Sequence, residues 1–197
     1  MDEQALQGRL AFLKAAEALK DTLRSGHTSQ GRPESTAEHS WRLCLLALAF
    51  EDRLAGVDML KLLKLCIVHD LGEAIHGDVP AVAQVDRDAK QARERADMLQ
   101  LTAPLDGPMR EQILSLWEEY EEARSPEAKL AKALDKLETV LQHNQGRNPP
   151  GFDYGFNLAY GQQYTASHSL TAAIRVLLDR ETRDRMGSED ESADKRI

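Results

Sequence analysis

Aromatic side chains are scarce in this chain, at 5% of residues, so leucine and alanine must fill most of any core. β-Branched residues are sparse as well, which argues against a large sheet. Only two cysteines occur, Cys44 and Cys66, both inside apolar helical runs. Two isolated thiols support neither a disulfide framework nor a cysteine-rich metal site. Basic residues are outnumbered, 25 Lys and Arg against 33 Asp and Glu, for a formal net charge of −8. Such a chain repels a phosphate backbone, so polymeric nucleic acid is not an expected partner. A small phosphorylated ligand remains compatible if a few cations converge on it. The longest apolar run, LCLLALAF at 43–50, is too short to cross a bilayer. The opening MDEQALQGRL lacks the basic and apolar regions of a secretory signal. The expectation is a cytoplasmic protein with no membrane partner.

What is plentiful favours helix: Leu, Ala, Glu, Lys, Arg and Gln dominate. Apolar spacing and stop signals predict helices over 3–24, 36–55, 59–72, 85–101, 109–123, 126–143 and 168–185, with a short one over 157–164. Ser35 and Glu38 have the spacing of a capping box, Asp58 suits an N-cap, and Ser125-Pro126 suits an N-cap followed by proline at the first helical position. HGDVPAVAQ and QGRNPPGFDYG read as loops, and GSEDESADKRI at 187–197 reads as a disordered charged tail. The predicted architecture is one all-α domain over residues 1–186, a bundle of six to eight helices.

Several polar residues fall where a helix should be apolar. His39 heads a stripe continued by Leu43, Leu46, Phe50 and Leu54. Leu62, Leu65 and Cys66 lie beneath His69, and Leu63, Cys66 and Ile67 beneath Asp70. A carboxylate on such a stripe needs a partner, and a metal ion also suits neighbouring imidazoles. Asp135 reads differently. Its helix has the stripe Leu130, Leu134, Leu137 and Leu141, and Asp135 lies off it beside Ala128 and Ala131, so periodicity alone makes it a solvated charge. The run EEYEEARSPE likewise reads as a solvated helix end.

Taken together, His39 in EHS, the pair His69-Asp70 in VHDLGE and Asp135 in LAKALDKLE, at intervals of 30 and 65 residues, resemble the H…HD…D signature of the HD-domain superfamily of metal-dependent phosphohydrolases. RPESTAEHS, HDLGEAIHGDVP and KALDKLETVLQ are most similar to its 5′-deoxynucleotidase branch, over roughly residues 5–145. The resemblance implies that His39, His69, Asp70 and Asp135 ligate one divalent ion, with Glu73 as acid/base residue and Asp78 as a catalytic, substrate-positioning carboxylate. Arg24 matches the branch's basic substrate-binding residue after the first helix, although His27 stands where an aromatic is expected. A mixed nitrogen–oxygen donor set with open positions suits Mn²⁺, Co²⁺ or Fe²⁺ better than Zn²⁺ or Mg²⁺. The resemblance also implies a nucleotide substrate, hydrolysed to nucleoside and phosphate, and a possible homodimer. Alternatives within the superfamily are a triphosphate, cyclic or signalling nucleotide as substrate, or a non-catalytic nucleotide-binding module. His76 is left as a loop residue, and His143 and His168 stand at no position that suggests a second metal.

Overall fold

The computed structural model of the chain describes residues 2–79 and 86–194. Among these, nine α-helices and one small hairpin follow in the order α1 (Glu3–Ala16), β1 (Leu23–His27), β2 (Pro33–Ser35), α2 (Thr36–Ala49), α3 (Met59–Val68), α4 (Arg87–Leu101), α5 (Gly107–Glu122), α6 (Pro126–Gln145), α7 (Gly155–Ala159), α8 (Gln162–Thr165) and α9 (Ser169–Asp194). The fold is all-α, with the two-stranded hairpin as its one addition.

Helix starts follow the capping chemistry. Ser35 Oγ accepts from the Glu38 amide while the Glu38 carboxylate accepts from the Ser35 amide at 2.9 Å, so the capping box forms as expected. Asp58 accepts from the Lys61 amide to open α3, and Ser125 accepts from the Ala128 amide to open α6, with Pro126 at its first turn.

The first helix is shorter than its spacing predicts. It ends at Ala16, passes through a 3₁₀ turn at Glu17–Lys20, and gives way to β1. β1 pairs antiparallel with β2, Leu23 opposite Ser35 and His27 opposite Pro33. Because β2 runs straight into α2, this pairing sets Arg24 beside the first turns of α2, where His39 lies. α3 also stops early, at Val68, with His69 as its C-cap and a 3₁₀ turn over Leu71–Glu73. The segment expected as one short helix over 157–164 divides into α7 and α8. α9 runs to Asp194, into the segment expected to be a disordered tail, and residues 195–197 lie outside the described residues, as do 80–85 of the expected HGDVPAVAQ loop.

α6 is the axis of the molecule. It packs against α2, α3, α5, α8, α9 and β1. One core cluster joins Leu43, Leu62, Leu65, Cys66, Leu134, Leu137 and Val140, and a second joins Phe12, Val68, Leu71, Met98, Leu101 and Trp117. The end of α3 passes from the first cluster to the second, so His69 and Asp70 sit at the seam between two cores. Cys44 and Cys66 are free thiols, the first half-buried and the second buried.

Candidate metal centre

Three polar groups enter this seam from two helices. His39 lies on the buried side of α2 with Thr36, Leu43 and Ala47, and no part of it is exposed. His69 and Asp70 follow at the C-terminal end of α3. Ligand atoms of His39, His69 and Asp70 all lie within 4.8 Å of one another. His69 Nε2 is 3.1 Å and His39 Nε2 is 3.9 Å from Asp70 Oδ2. Asp135 arrives from α6, its Oδ1 3.2 Å from His39 Nε2.

Asp135 is thus buried in the centre, not the solvated charge its spacing suggests. The periodicity argument assumes that a helix has a water-facing side, and α6 is packed on nearly all of them. Ala128 and Ala131 beside it are fully buried and admit the neighbouring helices. Burial alone would raise the Asp135 pKa, but Lys136, His39 and His69 hold it well below the usual carboxylate range. Asp70 is likewise held low against its burial by His69, Arg24 and His39.

The two histidines test whether a cation fits. Nε2 of His39 and Nε2 of His69 are buried polar atoms with no hydrogen-bond partner, an arrangement that costs free energy unless something else accepts their lone pairs. Behind each ring Nδ1 is engaged, His69 Nδ1 donating to the Cys66 carbonyl at 2.8 Å and His39 Nδ1 bonding the Glu138 carboxylate. That pattern fixes the proton on Nδ1 and leaves Nε2 as a donor to a metal. The two imidazole nitrogens and the Asp70 carboxylate are a donor set that fits a divalent ion, with Asp135 Oδ1 beside them 3.2 Å from His39 Nε2.

Around this centre lies a cavity of about 1390 Å³ whose lining includes Arg24, Asp70, Glu73, Asp78, Asp135 and Thr139. Arg24 reaches in from β1, its Nη1 donating to Asp70 Oδ2 at 3.1 Å and its Nη2 to Thr139 Oγ1 at 3.3 Å. Glu73, on the 3₁₀ turn, is buried and accepts from the Thr36 hydroxyl at 3.3 Å. Burial, then the charges of Asp70 and Asp78, push its carboxyl up to about 10 against the pull of Arg24 and Lys90. Asp78 reaches the cavity because Gly77 turns the chain at φ +82°, a conformation that disfavours a side chain.

A family profile for the HD domain matches residues 16–175. The chain belongs to the HD-domain family. Among its relatives, the 5′-deoxynucleotidase HDDC2 of Danio rerio is 38% identical over 142 residues, covering 71% of this chain and 70% of the relative. The human 5′-deoxynucleotidase HDDC2 is 35% identical, covering 69% and 67% of the two chains. A crystal structure described as a predicted metal-dependent phosphohydrolase from Magnetospirillum magnetotacticum MS-1 superposes with a TM-score of 0.80 at 26% identity, covering 92% of this chain and 94% of that one.

Within this HD domain the sequence-predicted site residues His69, Asp70, Glu73, Asp78, Arg24 and Asp135 all line the one cavity, and His39 stands directly behind Asp70 and Asp135. His27 is not in the cavity lining; Ser25 and Gly26 are. His76 turns away to α4, its Nδ1 2.8 Å from the buried Asp97 carboxylate. His168 caps its own turn by accepting from the Leu170 amide.

Two contributors were missed by the sequence reasoning. Glu138 is fully buried behind His39, and it lies on the apolar stripe, four residues from Leu134, so the signal that singled out Asp70 was present there too. Tyr120 stands inside the charged run read as a solvated helix end, yet it is buried, packs its ring 5.0 Å from that of His69, and donates to Asp135 Oδ2 at 2.6 Å. Burial and Asp135 raise its pKa well above the ordinary tyrosine value, which keeps the hydroxyl a donor. A further triad, Glu34, His39 and Glu138, also has ligand atoms within 4.8 Å, but Arg24 lies 3.8 Å from Glu34 and Arg42 3.5 Å from Glu138, so guanidinium groups already neutralise these carboxylates.

Proposed function

We propose that the chain is a metal-dependent 5′-deoxynucleotidase, hydrolysing deoxynucleoside 5′-monophosphates to nucleoside and phosphate, with His39, His69, Asp70 and Asp135 as the ligands of one divalent ion. The observation that carries this reading is the convergence, in one cavity, of a four-donor centre, a guanidinium and the buried Glu73 carboxyl. The names of the relatives supply the substrate class. A divalent cation on these donors supplies Lewis acidity toward a phosphoryl oxygen and toward water. The mixed imidazole and carboxylate set favours Mn²⁺, Co²⁺ or Fe²⁺ over Zn²⁺ or Mg²⁺.

The side chains do the rest. Arg24 has five N–H donors, and Asp70 and Thr139 take two. Nε faces Glu34 at 3.8 Å, and the remaining Nη hydrogens are available to a phosphate dianion. Water attacks phosphorus, the bond to the 5′-oxygen breaks, Glu73 delivers its proton to that leaving oxygen, and the proton shed by the attacking water returns to Glu73. Asp78, half-buried at the rim, orients the sugar end. Chelator-stripped protein given back single divalent ions should release phosphate faster from deoxynucleoside 5′-monophosphates than from ribonucleotides, triphosphates or cyclic dinucleotides. No release with any ion would contradict the reading.

Residues 1–186 are taken as one domain, since helices from α1 to α9 contribute to the two core clusters. Association as a homodimer belongs to the same proposal. Trp41, Leu45 and Leu48 recur one turn apart on the solvent side of α2, an apolar face suited to a second copy. Sedimentation should give a dimer mass, and a monomer at micromolar concentration would contradict it. A cytoplasmic location suits the two free thiols.

A further inference from the structure

Asp135, Thr139 and His143 follow one another at four-residue steps along one face of α6, each about 6 Å beyond the last. Asp135 belongs to the metal centre, and Thr139 meets the Arg24 guanidinium. His143 is the next side chain outward, lining the same cavity at only 5% exposure. It therefore stands about one sugar ring beyond the place where Arg24 would hold a phosphate.

Its ring is fixed on two sides and has space on a third. Nδ1 lies 2.8 Å from Asn157 Oδ1, so the proton sits on Nδ1 and Nε2 keeps its lone pair. Asn157 is itself fully buried, and its backbone carbonyl accepts from the Arg175 guanidinium. The Phe152 ring meets the imidazole edge-on, with centroids 4.8 Å apart and planes at 78°. On the β1 side Gly26, two residues past Arg24, leaves room: a Cβ there would sit 3.1 Å from His143 Cδ2 and 3.5 Å from Nε2. Nε2 makes no hydrogen bond among the described residues. Burial lowers the His143 pKa, so the ring is neutral at pH 7.

We propose that His143 is a specificity-determining residue, its Nε2 hydrogen-bonding a sugar hydroxyl of the bound nucleotide, with Phe152 as the apolar wall beside it. This rests on the nucleotide reading above. It also accounts for His27: the aromatic surface expected from the loop after the first helix comes instead from Phe152, in the segment after α6.

The test compares a 2′-deoxynucleoside 5′-monophosphate with its 2′,3′-dideoxy analogue, which lacks the hydroxyl. Wild-type kcat/KM should favour the hydroxylated substrate by about tenfold or more. His143→Phe keeps a flat ring against Phe152 and should cut kcat/KM for that substrate about tenfold, through KM, while leaving the dideoxy analogue within about twofold. His143→Gln, whose amide oxygen can reach the position of Nε2, should recover most of the loss. An equal effect of His143→Phe on both substrates, or none on either, would overturn the inference and leave the nucleotidase reading standing. Equal use of the two substrates by the wild type would overturn it without any variant. No phosphate release from either would overturn both readings.

Discussion

A carboxylate behind an imidazole changes what the front nitrogen can do. Glu138, fully buried like His39, holds the Nδ1 side of that ring, which orients it and raises the basicity of Nε2 toward a cation. Glu138→Gln should weaken divalent-ion affinity by about 10- to 100-fold with the fold intact. Competition against a chromophoric chelator measures this, and unchanged affinity would remove Glu138 from the account. Asp70→Ala should abolish ion binding altogether in the same assay. Glu73→Gln should keep the ion and lose about 10²- to 10⁴-fold in kcat, since only proton delivery is removed; near-normal turnover would assign the proton to another group. Legibility differed among these residues for physical reasons. His39, His69 and Asp70 stand out because a polar group on an apolar stripe is conspicuous. Asp135 did not, because periodicity reports which side of a helix faces the core only when another side faces water. Glu138 lay on the stripe and was readable by the same rule. Tyr120 was hidden by the acidic residues flanking it in sequence, although it follows Trp117 at helical spacing.

At the scale of elements, the segment after α6 shapes the outer cavity, and one side chain holds it in place. The buried Arg175 guanidinium on α9 donates to the carbonyls of Asn157, Leu158 and Tyr160, satisfying the end of α7, and to the Asp179 carboxylate. Arg175→Met removes this donor from the Asn157 and Tyr160 carbonyls and from the Asp179 carboxylate, while Leu158 still accepts from Gln162 Nε2, and should cost about 3 kcal/mol in urea unfolding. It should also raise KM more than it lowers kcat, because the wall moves while the metal centre stays. A loss under about 0.5 kcal/mol would show the clamp to be dispensable. Most helices were legible from capping signals, because Ser35, Asp58 and Ser125 act through local bonds. The hairpin was not. Whether Leu23–His27 continues a helix or pairs as a strand depends on its meeting Pro33–Ser35, a contact that local spacing does not encode. The early end of α3 escaped for a similar reason, since no glycine or proline stops the helix before Gly72 while the backbone turns at Asp70.

Across the whole molecule, the centre sits where two core clusters meet and where α2, α3 and α6 converge, with β1 and the Leu71–Glu73 turn bringing Arg24 and Glu73 to the same space. Rigid packing on both sides holds His39, His69, Asp70, Asp135 and Glu73 in fixed relation, as the proposed electrostatic site requires. The proposed function requires this arrangement to bind a single divalent ion on which hydrolysis depends. Chelator-stripped protein at a concentration well above the ion's dissociation constant, titrated with Mn²⁺ or Co²⁺ while phosphate release from a deoxynucleoside 5′-monophosphate is followed, tests it directly. Activity should rise from background in a straight line and break at one ion per chain. Full activity before any ion is added, or a break at two ions per chain, would contradict the account.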